Sequence, residues 1–222
     1  MLSITKDLRY YFFTTYRRKM LDRDLFKYKR YMRGKVLDVG GGMKRGLFVA
    51  TQAKIVTVDI DNKLKPDLVA SVEDLPIKNE TFNAIRATEL FEHVENFEKG
   101  FAECVRVLKK GGYFIISSPF MFPIHMAPSD YQRISVEKWR SLIKRFNLNL
   151  KILEEQGYFF TLVSELYRSV VIQINFRLIR YILYLSFPIV DAIAWLDKKS
   201  FVRSSKFLRN FTGGYFMVLQ KK

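Results

Sequence analysis

Short apolar runs alternate with helix-period stretches through the middle of the chain, a pattern that predicts a parallel α/β sheet. Residues 36–39 read as a buried strand that ends in the turn Gly40-Gly41-Gly42. Residues 54–60, rich in β-branched side chains and closing on acids, predict a second strand, and residues 82–87 a weaker third. Residues 97–109 place Phe97, Phe101, Cys104, Val105 and Leu108 on one helical stripe. Lys109 and Lys110 suit the C-terminal dipole of that helix, and Gly111 is expected to supply a left-handed cap. Residues 112–117 follow as a clear strand, Ser135 as the N-cap of a helix with Glu137 in its first turn, and 149–153 as a further strand. Residues 215–219 predict the last strand.

Residues 158–212 differ from everything before them. Val163, Leu166, Tyr167, Val170, Val171, Ile174, Leu178, Ile179, Ile182 and Leu183 recur at three- and four-residue steps, while Arg168, Gln173, Asn175 and Arg177 fall elsewhere on the wheel. Pro188 is expected to end or kink this run. A membrane span needs roughly 20 consecutive apolar residues. Arg177, Arg180 and Asp191 interrupt, so an interfacial amphipathic helix or a substrate lid is expected instead.

Composition narrows the field. With 222 residues, 49% hydrophobic and 27% charged, the chain has material for a real core and one decorated domain. One cysteine excludes an internal disulfide framework, and two histidines leave little for a metal site. The net charge of +16 is unevenly spread: +8 in residues 1–35, +2 in 36–150 and +6 in 151–222. The basic charge therefore sits in the flanks, where it would attract phospholipid surfaces, nucleic acid or phosphorylated substrates. The first twenty residues carry no apolar core ending in a small-residue cleavage site, so a cytoplasmic location, peripheral at the membrane, is expected.

The chemistry lies in four ordered pieces. VLDVGGG sets Asp38 at a strand end and glycines where backbone must approach a ligand closely. About twenty residues on, VTVDID puts Asp59 at the next strand tip, where a carboxylate can accept both hydroxyls of a ribose. EDLPIKNETFNAIRATELFEHV and RVLKKGGYFIISSP complete the series. The turn is not G-x-G-x-x-G, which argues against a nicotinamide dinucleotide.

Together the four pieces resemble class I S-adenosylmethionine-dependent methyltransferases, most closely the methyltransferase-11-type, small-molecule or glycan-like branch. The resemblance covers residues 35–157 and the final strand. It implies a Rossmann-like seven-stranded sheet with an antiparallel last strand and S-adenosylmethionine across the strand ends. It also implies a helical cap built from the N-terminal segment 1–34 and the insertion 158–212, with 213–222 closing the core sheet. On this resemblance Asp38, Gly40 and Gly42 line the methionine and ribose side, and Asp59 binds the ribose hydroxyls with Ile60 against the adenine. Ser71 and Val72 hold the adenine edge, Asp74 and Leu75 form the turn behind it, and Thr88 and Glu89 lie beneath the sulfonium. Glu92-His93 matches a Glu-His pair common in the family. The chain departs from the pattern at Lys44, where a small residue is usual, and at Ser71, where an aspartate is usual.

The segment 118–135 is a long loop after a strand end, and such loops are usually functional. It resembles a stretch that borders the acceptor pocket in related sequences, which makes Asp130, Tyr131 and Arg133 candidate acceptor-binding residues. His125 is the candidate base, having an ordinary pKa near 6.5, and His93 the second catalytic candidate or a loop-ordering residue. The bland alternative is that Asp130 and Arg133 pair to fold the loop. The expected acceptor is a small or lipid-linked anionic molecule, a glycan or isoprenoid intermediate among them. RNA, a non-catalytic binding role and a homodimer built on the apolar stripe are the alternatives.

Overall fold

The computed structural model describes residues 8–41 and 53–222. Its chain falls into two compact units: residues 22–154 with 214–222, and residues up to 21 with 155–213.

The first unit is built on a seven-stranded sheet. Strands β1 (Lys35–Val39), β2 (Lys54–Asp59), β3 (Leu68–Val69), β4 (Phe82–Thr88), β5 (Leu108–Pro119), β6 (Leu148–Glu155) and β7 (Gly214–Lys221) lie in the order β3-β2-β1-β4-β5-β7-β6. The pairs β3–β2, β2–β1, β1–β4 and β4–β5 are parallel, and β7 runs antiparallel to β5. This is the expected class I methyltransferase sheet. The strand order reverses between β1 and β4, so their carboxyl ends open the crevice in which sheets of this kind bind ligands.

Six of the seven strands form where the sequence pattern places them, the two-residue β3 being the addition, and the near-continuous burial of β1, β4 and β5 from Gly112 onward is the mark of a sheet covered on both faces. One boundary moves. Helix α3 (Phe97–Val107) starts at Asn96, whose side chain accepts from the Lys99 N–H, and buries Phe97, Phe101, Cys104 and Val105 as expected. It stops at Val107, because Leu108 is already extended and pairs with Phe82. Lys109 and Lys110 therefore belong to β5 and not to a helix end. Gly111 does take a left-handed conformation (φ 74°), but inside the strand and not as a helix cap. Helix α4 (Val136–Arg145) keeps its expected N-cap, Ser135 accepting from the Lys138 N–H, and buries Trp139, Leu142 and Ile143.

The core of this unit is aromatic. Phe101 is fully buried, with its ring centroid 5.3 Å from Phe114, 5.4 Å from Phe146 and 6.0 Å from Trp139.

The second unit is helical: α1 (Leu8–Phe13), the first six residues of α2 (Tyr16–Lys27), α5 (Phe159–Gln173), α6 (Arg177–Tyr184), α7 (Phe187–Trp195), α8 (Ser200–Ser204) and α9 (Lys206–Arg209). Pro188 breaks the run as expected, at the first turn of α7, where its missing N–H costs nothing. The periodicity of α5 left its facing open, and the structure turns most of the apolar stripe outward. Its buried residues are Thr161, Ser164, Glu165, Arg168 and Val171, while Val163, Leu166 and Val170 point to solvent.

Specific polar partners explain this facing. Arg168, 2% exposed, reaches Asp191 (3.1 Å) and the carbonyls of Tyr11 and Phe12, with its guanidinium 4.1 Å from the Phe187 ring centre. Tyr11 donates to the same Asp191 at 2.6 Å. Burial first, and then Asp191, push the Tyr11 phenol up to about 12. Buried Asp197 accepts from the N–H groups of Tyr158, Phe160 and Thr161, capping α5 from a distant part of the chain. A buried arginine with this many partners stabilises its orientation more than three aliphatic side chains favour theirs.

The aromatic cluster sets a stability test. Phe101→Ala should lower the unfolding free energy by about 3–5 kcal/mol, through lost transfer energy and the cavity left behind; urea denaturation compared with the wild type reads it directly.

Candidate active site

The carboxyl ends of β1, β2 and β4 carry the predicted cofactor residues, all within the sheet unit. Asp38 on β1 stands in register with Arg86 on β4, and both are buried. Arg86 Nε donates to Asp38 Oδ1 at 2.6 Å, and its terminal nitrogen donates to Oδ2, so the pair is bidentate. Burial raises the Asp38 carboxyl above the ordinary carboxylate value, and the guanidinium opposes that rise. Arg86 escaped the sequence reading. Its only signal was a single charge inside an otherwise apolar strand.

The turn after β1 is built on this pair. Gly40 has φ +73° and donates its N–H to the Val58 carbonyl at 2.8 Å. A Cβ at Gly41 would collide with the Asp38 carboxylate, so only glycine fits above it. Gly42 and Lys44 lie outside the described residues.

At the tip of β2, Asp59 accepts the Asp61 N–H at 2.9 Å, and its carbonyl receives the Ala70 N–H, which aligns the end of β3 beside it. Ile60 next to it is 74% exposed, an aliphatic side chain left uncovered where the resemblance places adenine. Ser71 spends its hydroxyl on the Glu73 N–H at 3.2 Å. Val72 is buried against Gly100, where a Cβ would come within 3.0 Å of it. Asp74 is exposed, whereas Leu75 is buried; its N–H is taken by Glu103 (2.9 Å) and its carbonyl by Arg106 (2.9 Å). The structure thus shows a side chain turned to solvent at Asp74 and a braced anchor at Leu75.

Beyond Thr88 at the end of β4, Glu89 takes a left-handed backbone (φ 54°), costly for a residue with a side chain and typical of functional turns. Two bonds to β5 fix it: its N–H to the Ser117 carbonyl (3.0 Å) and the Ser117 hydroxyl to its carboxylate (2.7 Å). A single helical turn, Phe91–His93, follows, with Glu92 fully buried.

The loop after β5 is tied to that turn. Tyr131 donates its N–H to the Glu92 carbonyl (2.8 Å), and Gln132 donates to the carbonyls of Phe91 (2.9 Å) and Val94 (2.7 Å). Gln132 was not anticipated, since an amide that bonds only backbone leaves no pattern in sequence. Arg133 and Asp130 form a bidentate pair (2.5 and 2.9 Å), and Asp130 also accepts the His125 N–H (2.8 Å). Arg133 drives the Asp130 carboxyl far below the usual range. Those two residues fold the loop, while Tyr131 leaves its ring half exposed. His125 and His93 come together, ring centres 4.9 Å apart. Burial lowers the His125 pKa below the ordinary imidazole value.

The comparisons with known proteins agree with this fold. A methyltransferase-domain family model, Methyltransf_11, matches residues 37–116. No curated protein matches the sequence. Among solved structures, the [4+2]-cyclase SpnF superposes with a TM-score of 0.58 at 14% identity, over 91% of this chain and 80% of that one. The YcgJ protein of Bacillus subtilis gives 0.54 at 13% identity, over 92% and 99%. Phosphoethanolamine N-methyltransferase 2 of Haemonchus contortus, in complex with S-adenosylmethionine, gives 0.56 at 14% identity, over 91% of this chain and 52% of that one. These likenesses establish the fold. The domain match over residues 37–116 adds support for a SAM-dependent methyltransferase.

The buried pair yields a prediction of its own. Arg86→Ala should cost about 3–5 kcal/mol by stranding a buried carboxylate, whereas Asp38→Leu combined with Arg86→Met should recover most of that loss. Thermal and urea unfolding of the three proteins checks both statements.

Proposed function

We propose that this chain transfers a methyl group to a small anionic acceptor, lipid-linked in its natural form, at a membrane surface. The observation that carries the reading is the outward apolar face of the helical unit. Helix α5 exposes Val163, Leu166 and Val170 (65%), and α6 has no buried residue at all. Leu178, Ile179, Ile182, Leu185 (78%) and Ile189 continue the face into α7. No single helix is long and apolar enough to cross a membrane; α6 and residues 187–198 pass that test only as a pair bent by 44°. Aliphatic faces of this kind, next to Arg177, Arg180, Lys198 and Lys199, suit insertion at an anionic interface. The reading places the protein in the cytoplasm, peripheral at the membrane. The Haemonchus contortus relative acts, by its name, on phosphoethanolamine, which supports a small phosphorylated acceptor on this fold.

The residues at the sheet's carboxyl edge fit S-adenosylmethionine: a turn with no room for side chains, a carboxylate at the β2 tip and an uncovered aliphatic side chain beside it. When bound, that cofactor supplies an electrophilic methyl group. The chain's own part is binding, orientation and exclusion of water, which carry most of such a displacement. Asp59 holds the ribose hydroxyls, Ile60 covers the adenine, and Ser71 and Val72 present its edge. Asp74 and Leu75 brace the turn behind it. Gly40 lets backbone approach, while Thr88 and Glu89 stand under the reacting centre. On the acceptor side, Tyr131 and the histidine pair His93 and His125 offer their ring faces and Nε2 lone pairs, and Asp130 and Arg133 hold the loop in place.

Calorimetric titration with S-adenosylhomocysteine tests the assignment. Asp59→Ala should weaken binding tenfold or more, about 1.4 kcal/mol. His125→Ala should leave that affinity unchanged and lower turnover. Equal affinity in Asp59→Ala removes Asp59 from the site.

The membrane reading is tested by sedimentation with phosphatidylglycerol-containing vesicles. The wild type should pellet with them, and Leu178→Asp combined with Ile182→Asp should reduce retention at least about tenfold, each aliphatic side chain contributing ~1.5–3 kcal/mol on burial. Retention on RNA in place of vesicles, or a dimer that the double variant dissociates, would overturn it.

A further inference from the structure

The chain has two histidines, 32 residues apart in sequence, and the fold brings them edge to face. Each is fixed through its δ nitrogen. His93 Nδ1 lies 2.6 Å from the Ser129 carbonyl oxygen, and His125 Nδ1 lies 3.2 Å from that of Pro123. A carbonyl only accepts, so each Nδ1 donates there and Nε2 is the ring nitrogen left to meet a ligand. The fully buried carboxylate of Glu92 adjoins them, its Oε1 3.9 Å from His93 Nε2. One potential ligand atom from each of Glu92, His93 and His125 lies within 4.8 Å of the other two. Behind His125, the Asp130 carboxylate stands 3.4 Å from Nδ1, itself clamped by Arg133.

A divalent cation would use all three groups at once.

We propose that Glu92, His93 and His125 form a binding site for one divalent transition-metal ion of the zinc type. Two neutral imidazoles and a carboxylate are the donor set of borderline-soft ions, whereas magnesium and calcium take oxygen ligands. The backbone carbonyls on both Nδ1 atoms and the carboxylate behind His125 are the outer partners that orient metal-binding histidines. Tetrahedral bonds of about 2.0–2.2 Å put ligand atoms roughly 3.4 Å apart, so the cluster, its ligand atoms within 4.8 Å of one another, need contract by at most about 1.4 Å. Three protein ligands leave a fourth position open. An anionic or hydroxyl group of the acceptor would take it, where the ion offsets negative charge and acidifies a bound hydroxyl. That use rests on the proposed methyl transfer; the binding of the ion does not.

The test is a cobalt(II) titration of the whole, metal-stripped chain, followed by visible absorption, with zinc(II) uptake measured by equilibrium dialysis. One equivalent of each should bind saturably, cobalt with the intense ligand-field bands of a four- or five-coordinate site and displaced by zinc. His125→Ala, on a half-exposed loop, and His93→Gln should each weaken binding at least tenfold and abolish those bands. No saturable binding, or affinity and spectrum unchanged in His125→Ala, would overturn the site. Titration of the same samples with S-adenosylhomocysteine separates the two claims. Cofactor binding without metal uptake refutes the metal site alone, and metal uptake without cofactor binding refutes the methyltransferase reading alone.

Discussion

The bidentate bond between Asp38 and Arg86 is the constraint on which the site depends. It joins the two strands that diverge at the switch point of the sheet, at the register position just below the glycine turn. Two charges there would each cost several kcal/mol to desolvate alone, and their mutual bond offsets that cost. The pair therefore fixes how β1 and β4 end relative to each other. It also dictates what can stand above it: the Asp38 carboxylate fills the space a side chain at Gly41 would need. A turn of bare backbone, open to a close-fitting ligand, is the direct consequence.

From the end of β4 the same logic passes outward through hydrogen bonds and not through hydrophobic contact. Ser117 holds Glu89 in a left-handed conformation, and the turn at Phe91–His93 then offers its carbonyls to Gln132 and to the Tyr131 N–H. Those bonds dock the loop after β5 onto the turn after β4. Asp130 and Arg133 stiffen the loop from inside, and the result is a fixed meeting of His93 with His125. A histidine on a free loop would sample many positions; here the backbone partners of both rings leave each one orientation.

The helical unit shows the converse balance. Its interior holds tightly paired polar groups, Arg168 and Asp191 with Tyr11, and Asp197 with the start of α5, beside buried Val171, Phe187 and Val202, while many aliphatic side chains line the outside. Such an arrangement is unfavourable in water alone, since each exposed aliphatic side chain forgoes burial energy. It becomes favourable when the outside medium is itself apolar.

How much of this was legible in the sequence follows from the range of the interactions. Strands, glycine turn, N-caps and the order of the four motifs depend on neighbours a few residues apart, so local pattern placed six strands, while the seven-stranded sheet, its antiparallel last strand and the ligand-binding edge followed from the family resemblance those motifs carry. The helix over 97–109 was misjudged at its end because Leu108 pairs with Phe82, a partner the local pattern does not contain. Periodicity in 158–183 established that a stripe existed but not which way it faced. Facing was decided by Arg168, whose partners lie more than a hundred residues away or on another helix. The Asp38–Arg86 bond and the junction of Glu92, His93 and His125 belong to the same class. Each needs two segments placed by the fold before its electrostatics exists, so only the tertiary structure could decide them.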